Sequence, residues 1–184
     1  MANLPLPVTW LWGTSAVRLT GALQALRAQQ LYFLAEQPPP MTAPDVVILS
    51  SEPAPADQVG QLDLQHLIQD FEQNTLIITD WLQRAVRLMH KRKGAHKGTI
   101  ILLAIEATDQ SPACQITTLT RQAGLSNLMQ SLAREWGKRG IHVAYLPIPA
   151  STPSTDVAAL CWHLHQQPIS SWSYQPQLLL RAHG

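Results

Sequence analysis

Two spacings of apolar residues alternate along the chain. Val8 to Trp12, Leu31 to Leu34, Asp45 to Ser51 and Thr99 to Ala104 are short and almost continuously apolar, which predicts strands covered on both faces. Between them the period lengthens to three and four. Leu19, Leu23 and Leu26 follow a turn at Gly13-Thr14-Ser15 and predict a helix. Leu62 to Phe71 reads as another. Asn74 is expected to open a long helix running to Arg92, with Ile78, Leu82, Ala85 and Met89 on one face and Ile77, Trp81 and Leu88 on a second. Near the C-terminus, Val157, Leu160, Cys161 and Leu164 mark a helix over Asp156 to His165 with Thr155 or Asp156 as its N-cap, and Leu178 to Leu180 predict a closing edge strand.

The stretch Gln115 to Pro147 (QITTLTRQAGLSNLMQSLAREWGKRGIHVAYLP) organises the rest. Leu125, Leu128, Leu132 and Ala133 form a helical stripe, and Arg134, Lys138 and Arg139 place positive charge in the last turn. Gly140 stands where a helix stop favours positive φ, and Ile141, Val143 and Tyr145 then alternate as a strand does. On pattern alone this is half of a β-α-β unit.

QAGLSNLMQSLAREWGKRGIHV also resembles the active-site helix and following strand of the short-chain dehydrogenase/reductases, through Ala123, Leu125, Leu128, Ser131, Leu132, Ala133, Glu135, Gly140, Ile141 and Val143. NTLIITDWLQRAVRLM is similar to the family's central segment, with Asn74 and Met89 at matching separation, and DVVILSS resembles its Asn-Asn-Ala-Gly strand, with Leu49, Ser50, Ser51 and Glu52 in those four places. The resemblance runs from Val8 to Leu180. It implies a single α/β domain over residues 1–184: a Rossmann-like, doubly wound parallel sheet of about six strands, helices on both faces, shortened relative to the family.

The same resemblance implies an NAD(P)-dependent oxidoreductase, but the residues that would run it are replaced. The phosphate-binding glycines read Gly13, Val17 and Leu19, and side chains at the last two are expected to crowd the pyrophosphate. The catalytic Ser, Tyr and Lys positions read Ile105, Thr118 and Gln122, leaving Asn74 as the survivor of the tetrad, read as a helix N-cap or as a bridge between backbone groups. Threonine does not ionise near neutral pH and glutamine carries no charge to lower a neighbour's pKa. The expectation is therefore a catalytically inactive protein without cofactor, acting as a structural or regulatory subunit. The alternative is an atypical NAD(P)-dependent carbonyl reductase or a binder of another small ligand.

Composition adjusts this picture in three places. Charged residues make up 14% of the 184, against about a quarter in ordinary globular proteins, which points to a covered face. Ile77, Trp81 and Leu88 on one helix and Met129 and Trp136 on the other are the candidate interface, for a homodimer or a heteromer with an active homologue. Cys114 and Cys161 build no disulfide framework, no basic n-region precedes the apolar N-terminal stretch, and no membrane-length run occurs, so a cytoplasmic protein is expected. The basic run from His90 to Lys97 reads as a solvated helix end rather than a nucleic-acid site. Glu106 and Asp109 have no fixed spacing for acid–base work, and His163 and His165 lie on different helical faces, so no metal is expected.

Overall fold

A computed structural model describes residues 7–26, 30–34, 42–54, 63–106 and 116–175. Five parallel strands form one sheet in the order β2-β1-β3-β4-β5, with β1 Val8–Trp12, β2 Gln30–Phe33, β3 Val46–Ser51, β4 Gly98–Glu106 and β5 Ile141–Pro149. The connection from β1 leads outward to β2, while β3 returns on the other side of β1 and leads to β4. The strand order thus reverses between β1 and β3, the point where open α/β sheets form their ligand crevice. The expected strand Leu178 to Leu180 lies outside the described residues.

Helices cover both faces because the strands alternate. Trp10, Val47, Leu49, Ile100, Leu102 and Val143 face a layer made by α4 (Ile77–Met89) and α5 (Ile116–Gly137). Leu11, Ile48, Ile101, Leu103 and Leu146 face α1 (Thr14–Val17), α2 (Thr20–Leu26) and α6 (Ser154–Gln166). The helix expected after Gly13 is therefore two short pieces, and Leu26 at its end is exposed. The stop before β5 is steric: Gly140 has φ 84°, and a Cβ there would sit 2.0 Å from the Ala95 carbonyl oxygen.

Two helix starts differ from expectation. Asn74 does not open a helix. α3 (Leu64–Phe71) runs through a π-helical turn, Glu72–Leu76, directly into α4, and Asn74 sits inside that turn donating to the Asp70 carboxylate at 3.0 Å. The cap at the start of this rod is Asp63, whose carboxylate accepts the Gln65 N–H. α6 begins at Ser154 after Pro153, so Thr155 and Asp156 lie within its first turn rather than at its cap.

Candidate functional site at the sheet crevice

At the C-terminal ends of β1 and β3 the chain places Gly13, Ser15, Ser50 and Glu52 together. Oε1 of Glu52 accepts the Ser15 N–H at 2.7 Å and the Ser50 hydroxyl at 2.6 Å, while Oε2 accepts the Ser15 hydroxyl at 2.8 Å. The Ala16 N–H, next in the same turn, donates to Ser50 Oγ at 3.2 Å. A carboxylate of the protein thus holds the donors that a bound phosphate would need. The retained glycine serves this packing: Gly13 has φ 90°, and a Cβ there would lie 2.2 Å from Ser50 Oγ and 2.8 Å from its carbonyl oxygen. Val17 is 41% exposed and Leu19 is buried in the core, so the group occupying the turn is Glu52 rather than either of them.

The residues at the family's catalytic positions, where no catalysis is expected, are tied up in structure. Ile105 is buried, and its carbonyl accepts the Gln122 side-chain N–H at 3.0 Å. Thr118 is buried and accepts the Ala54 N–H at 2.8 Å. Between them stands a residue that sequence reasoning passed over. Arg121, 5% exposed, donates to Ser51 Oγ at 3.0 Å, to the Glu52 carbonyl and to the Asp70 carboxylate, which also receives Asn74. This network stitches α5 to β3 and to α3. A buried arginine needs such full pairing, because an unpaired charge in the interior is costly.

Beside Gln122 stands the phenol of Tyr145, whose hydroxyl donates to the Gln122 carbonyl oxygen at 3.4 Å. Burial first, then the Tyr174 and Glu106 charges, pushes it up to about 12, away from neutral pH. His165 is half-buried and bonds Thr99 at 3.0 Å, whereas His163 is exposed; among the described residues no cluster of three potential metal ligands exists.

Beside the Glu52 turn is a cleft of about 230 Å³, floored by Leu103, Ile105, Ile148 and Val157 and rimmed by Arg18, Glu52, Thr152 and Ser154. It is smaller than the roughly 300–1,000 Å³ usual for small-molecule sites.

The proposed interface residues separate into two groups. Met129 and Trp136 are core: Met129 is fully buried and Trp136 is 8% exposed, both against the sheet, so neither offers surface to a partner. Trp81 and Leu88 are partly buried against the same cluster, and Ile77 is exposed. The longest run of open apolar surface among the described residues is on α3, the π-turn and the first residue of α4: Leu64, Ile68, Phe71, Leu76 and Ile77, with Leu119 on α5. Among the described residues, no helix is long and apolar enough to cross a membrane.

No family model matches the sequence, and no curated protein matches it. The solved structures do. A short-chain dehydrogenase from Rhodopseudomonas palustris superposes with TM-score 0.77 at 17% identity, over 95% of this chain and 99% of that one. YwfH, an NADPH-dependent reductase involved in bacilysin biosynthesis, gives 0.71 at 17% identity over 92% and 95%, and a metagenomic short-chain oxidoreductase in complex with NADP gives 0.70 at 16% over 95% and 97%. The chain has the fold of the short-chain dehydrogenases and reductases.

Proposed function

We propose that this chain is a catalytically inactive protein of that fold, serving as a structural or regulatory subunit that pairs through the α3–α4 rod. The observation that carries the first half is the Glu52 carboxylate, bonded at 2.7 and 2.8 Å to Ser15 in the turn that receives phosphate in dinucleotide-binding folds. A pyrophosphate brought there would meet a fixed negative charge. At about 4 Å and a surface-like effective dielectric, one such unit pair repels by about 4 kcal/mol, close to three orders of magnitude in affinity. Ile105, Thr118 and Gln122 add no proton donor or acceptor of suitable pKa.

Pairing is supported by the open apolar stripe and by the distribution of charge along the rod. Asp63 and Glu72 are exposed at its start and in its π-turn, Arg84 and Arg87 are exposed on its second half, and Lys91 and Lys93 follow just beyond its end, while Asp80 pairs with Arg84 of the same helix. Two copies laid antiparallel about a two-fold axis bring each acidic half against a basic half and cover Leu64, Ile68 and Phe71 on both. A heteromer with a homologue carrying the same pattern is the variant of this reading. Calorimetric titration with NADH and NADPH tests the absence of cofactor, with no saturable heat expected. Micromolar binding would overturn inactivity and restore the reductase reading. Light scattering tests pairing, with a dimer expected at tens of micromolar.

A further inference from the structure

The cleft beside Glu52 combines features that the inactive scaffold does not require. Its floor is aliphatic: Leu103, Ile105, Ile148 and Val157. Its rim carries one cation and one anion. Arg18 is exposed, and its side chain makes no ion pair or hydrogen bond among the described residues. Glu52 accepts two hydrogen bonds at Oε1 and one at Oε2. A carboxylate offers about four lone-pair positions, so one remains at Oε2 for a further donor. Thr152, on the same rim, has a buried Oγ1 with no hydrogen-bond partner. An aliphatic floor with a few polar groups converging on it is the usual build of a small-ligand site, and 230 Å³ limits the occupant to a handful of heavy atoms.

We propose that this cleft binds a small aliphatic α-amino acid as its zwitterion. Arg18 takes the carboxylate, through the paired N–H geometry that suits it. Glu52 takes the ammonium with its remaining lone pair, and the branched side chain lies on Ile105, Ile148 and Val157. A simple anion would leave Glu52 facing a like charge, and a simple amine would leave Arg18 unmatched. The opposite charges on one rim select a ligand that carries both. This site rests on the reading that Glu52, not a dinucleotide phosphate, holds the turn.

The test is a titration of the full chain, followed by amide chemical shifts, with L-leucine and L-valine. Isocaproate, which lacks the ammonium, and isoamylamine, which lacks the carboxylate, serve as controls, and NADH is run separately. Saturable leucine or valine binding at millimolar concentration or below is expected, with shifts around Ser15, Ile105 and Thr152. Each control should bind at least tenfold more weakly, a difference of about 1.4 kcal/mol. Arg18→Gln, an exposed substitution that leaves the fold intact, should weaken leucine at least tenfold. Ile148→Ala, which trims the floor, should weaken leucine binding as well. No saturation by about 10 mM, equal binding of isocaproate or isoamylamine, or an unchanged Arg18→Gln affinity overturns the proposal. If NADH saturates the site, the inactive reading falls with it; if neither NADH nor leucine binds, this inference alone falls.

Discussion

Single residues decide how this crevice is held together, and they were the hardest to read in the sequence. Glu52 stands 37 positions from Ser15, and Arg121 stands 51 from Asp70 and 70 from Ser51. No local period links such residues; only the sheet brings them together. The same distance hid the reason for Gly13, which was legible as a turn glycine but not as the partner of Ser50. Gly13→Ala should cost about 2–3 kcal/mol, combining positive φ with overlap. Because Cβ also meets the Ser50 backbone carbonyl, adding Ser50→Ala should not restore stability, and denaturant melts of the single and double variants will show it. Arg121→Met should cost about 3–5 kcal/mol by leaving Asp70 without its cation and Ser51 and the Glu52 carbonyl without their donor, whereas a catalytic role would leave stability unmoved. Equal melting of wild type and Arg121→Met would contradict the structural assignment of that network.

At the scale of elements the sequence was far more legible, since period 2 and period 3.6 are set by burial alone. β1, β2, β3, β4 and β5 and the cores of α4, α5 and α6 lie where their apolar spacing places them. Boundaries failed where local chemistry had two solutions. Asn74 suits an N-cap, yet the chain enters it already helical from α3, so its amide turns back to Asp70 instead. Met129 and Trp136 look like surplus apolar surface on a wheel, yet α5 lies along β5 and presents both to the sheet. This sets apart two kinds of substitution. Phe71→Asp or Ile68→Asp, on the open stripe, should convert a dimer to a monomer with stability changed by no more than about 0.5 kcal/mol. Met129→Ala, in the core, should lose about 2–5 kcal/mol without acting on association directly. Light scattering beside thermal melts separates the two, and a Phe71→Asp protein that remains dimeric would remove the rod from the interface.

The whole molecule should have a pH optimum bounded by buried groups on both sides. On the acid side, burial lowers His142, and lowers His165 to about 4, both below the 6.5 of an unfolded histidine. The unfolded chain then binds protons that the fold refuses, so stability is full above pH 6.5 and declines as pH falls toward 4. On the alkaline side the sign reverses. Burial raises Cys161, which is fully covered in the α6 layer, from 9.0 to about 12, and raises Tyr145 from 10.0 to about 12. Both groups stay neutral in the fold while ionising in the unfolded chain, so stability is present below pH 9 and falls above it, first through the thiol and then through the phenol. Each group contributes about 1.4 kcal/mol per pH unit once its unfolded form is ionised. Cys161→Ala removes the thiol at the cost of a small cavity and should shift the onset of alkaline loss from about pH 9 to about pH 10, leaving the slope that belongs to Tyr145 and to Tyr174, which burial also raises. Urea melts of wild type and Cys161→Ala at half-unit steps from pH 7 to pH 11 measure this. Parallel curves with the same onset would mean that water reaches the thiol and that the layer between α6 and the sheet opens well below the global unfolding free energy.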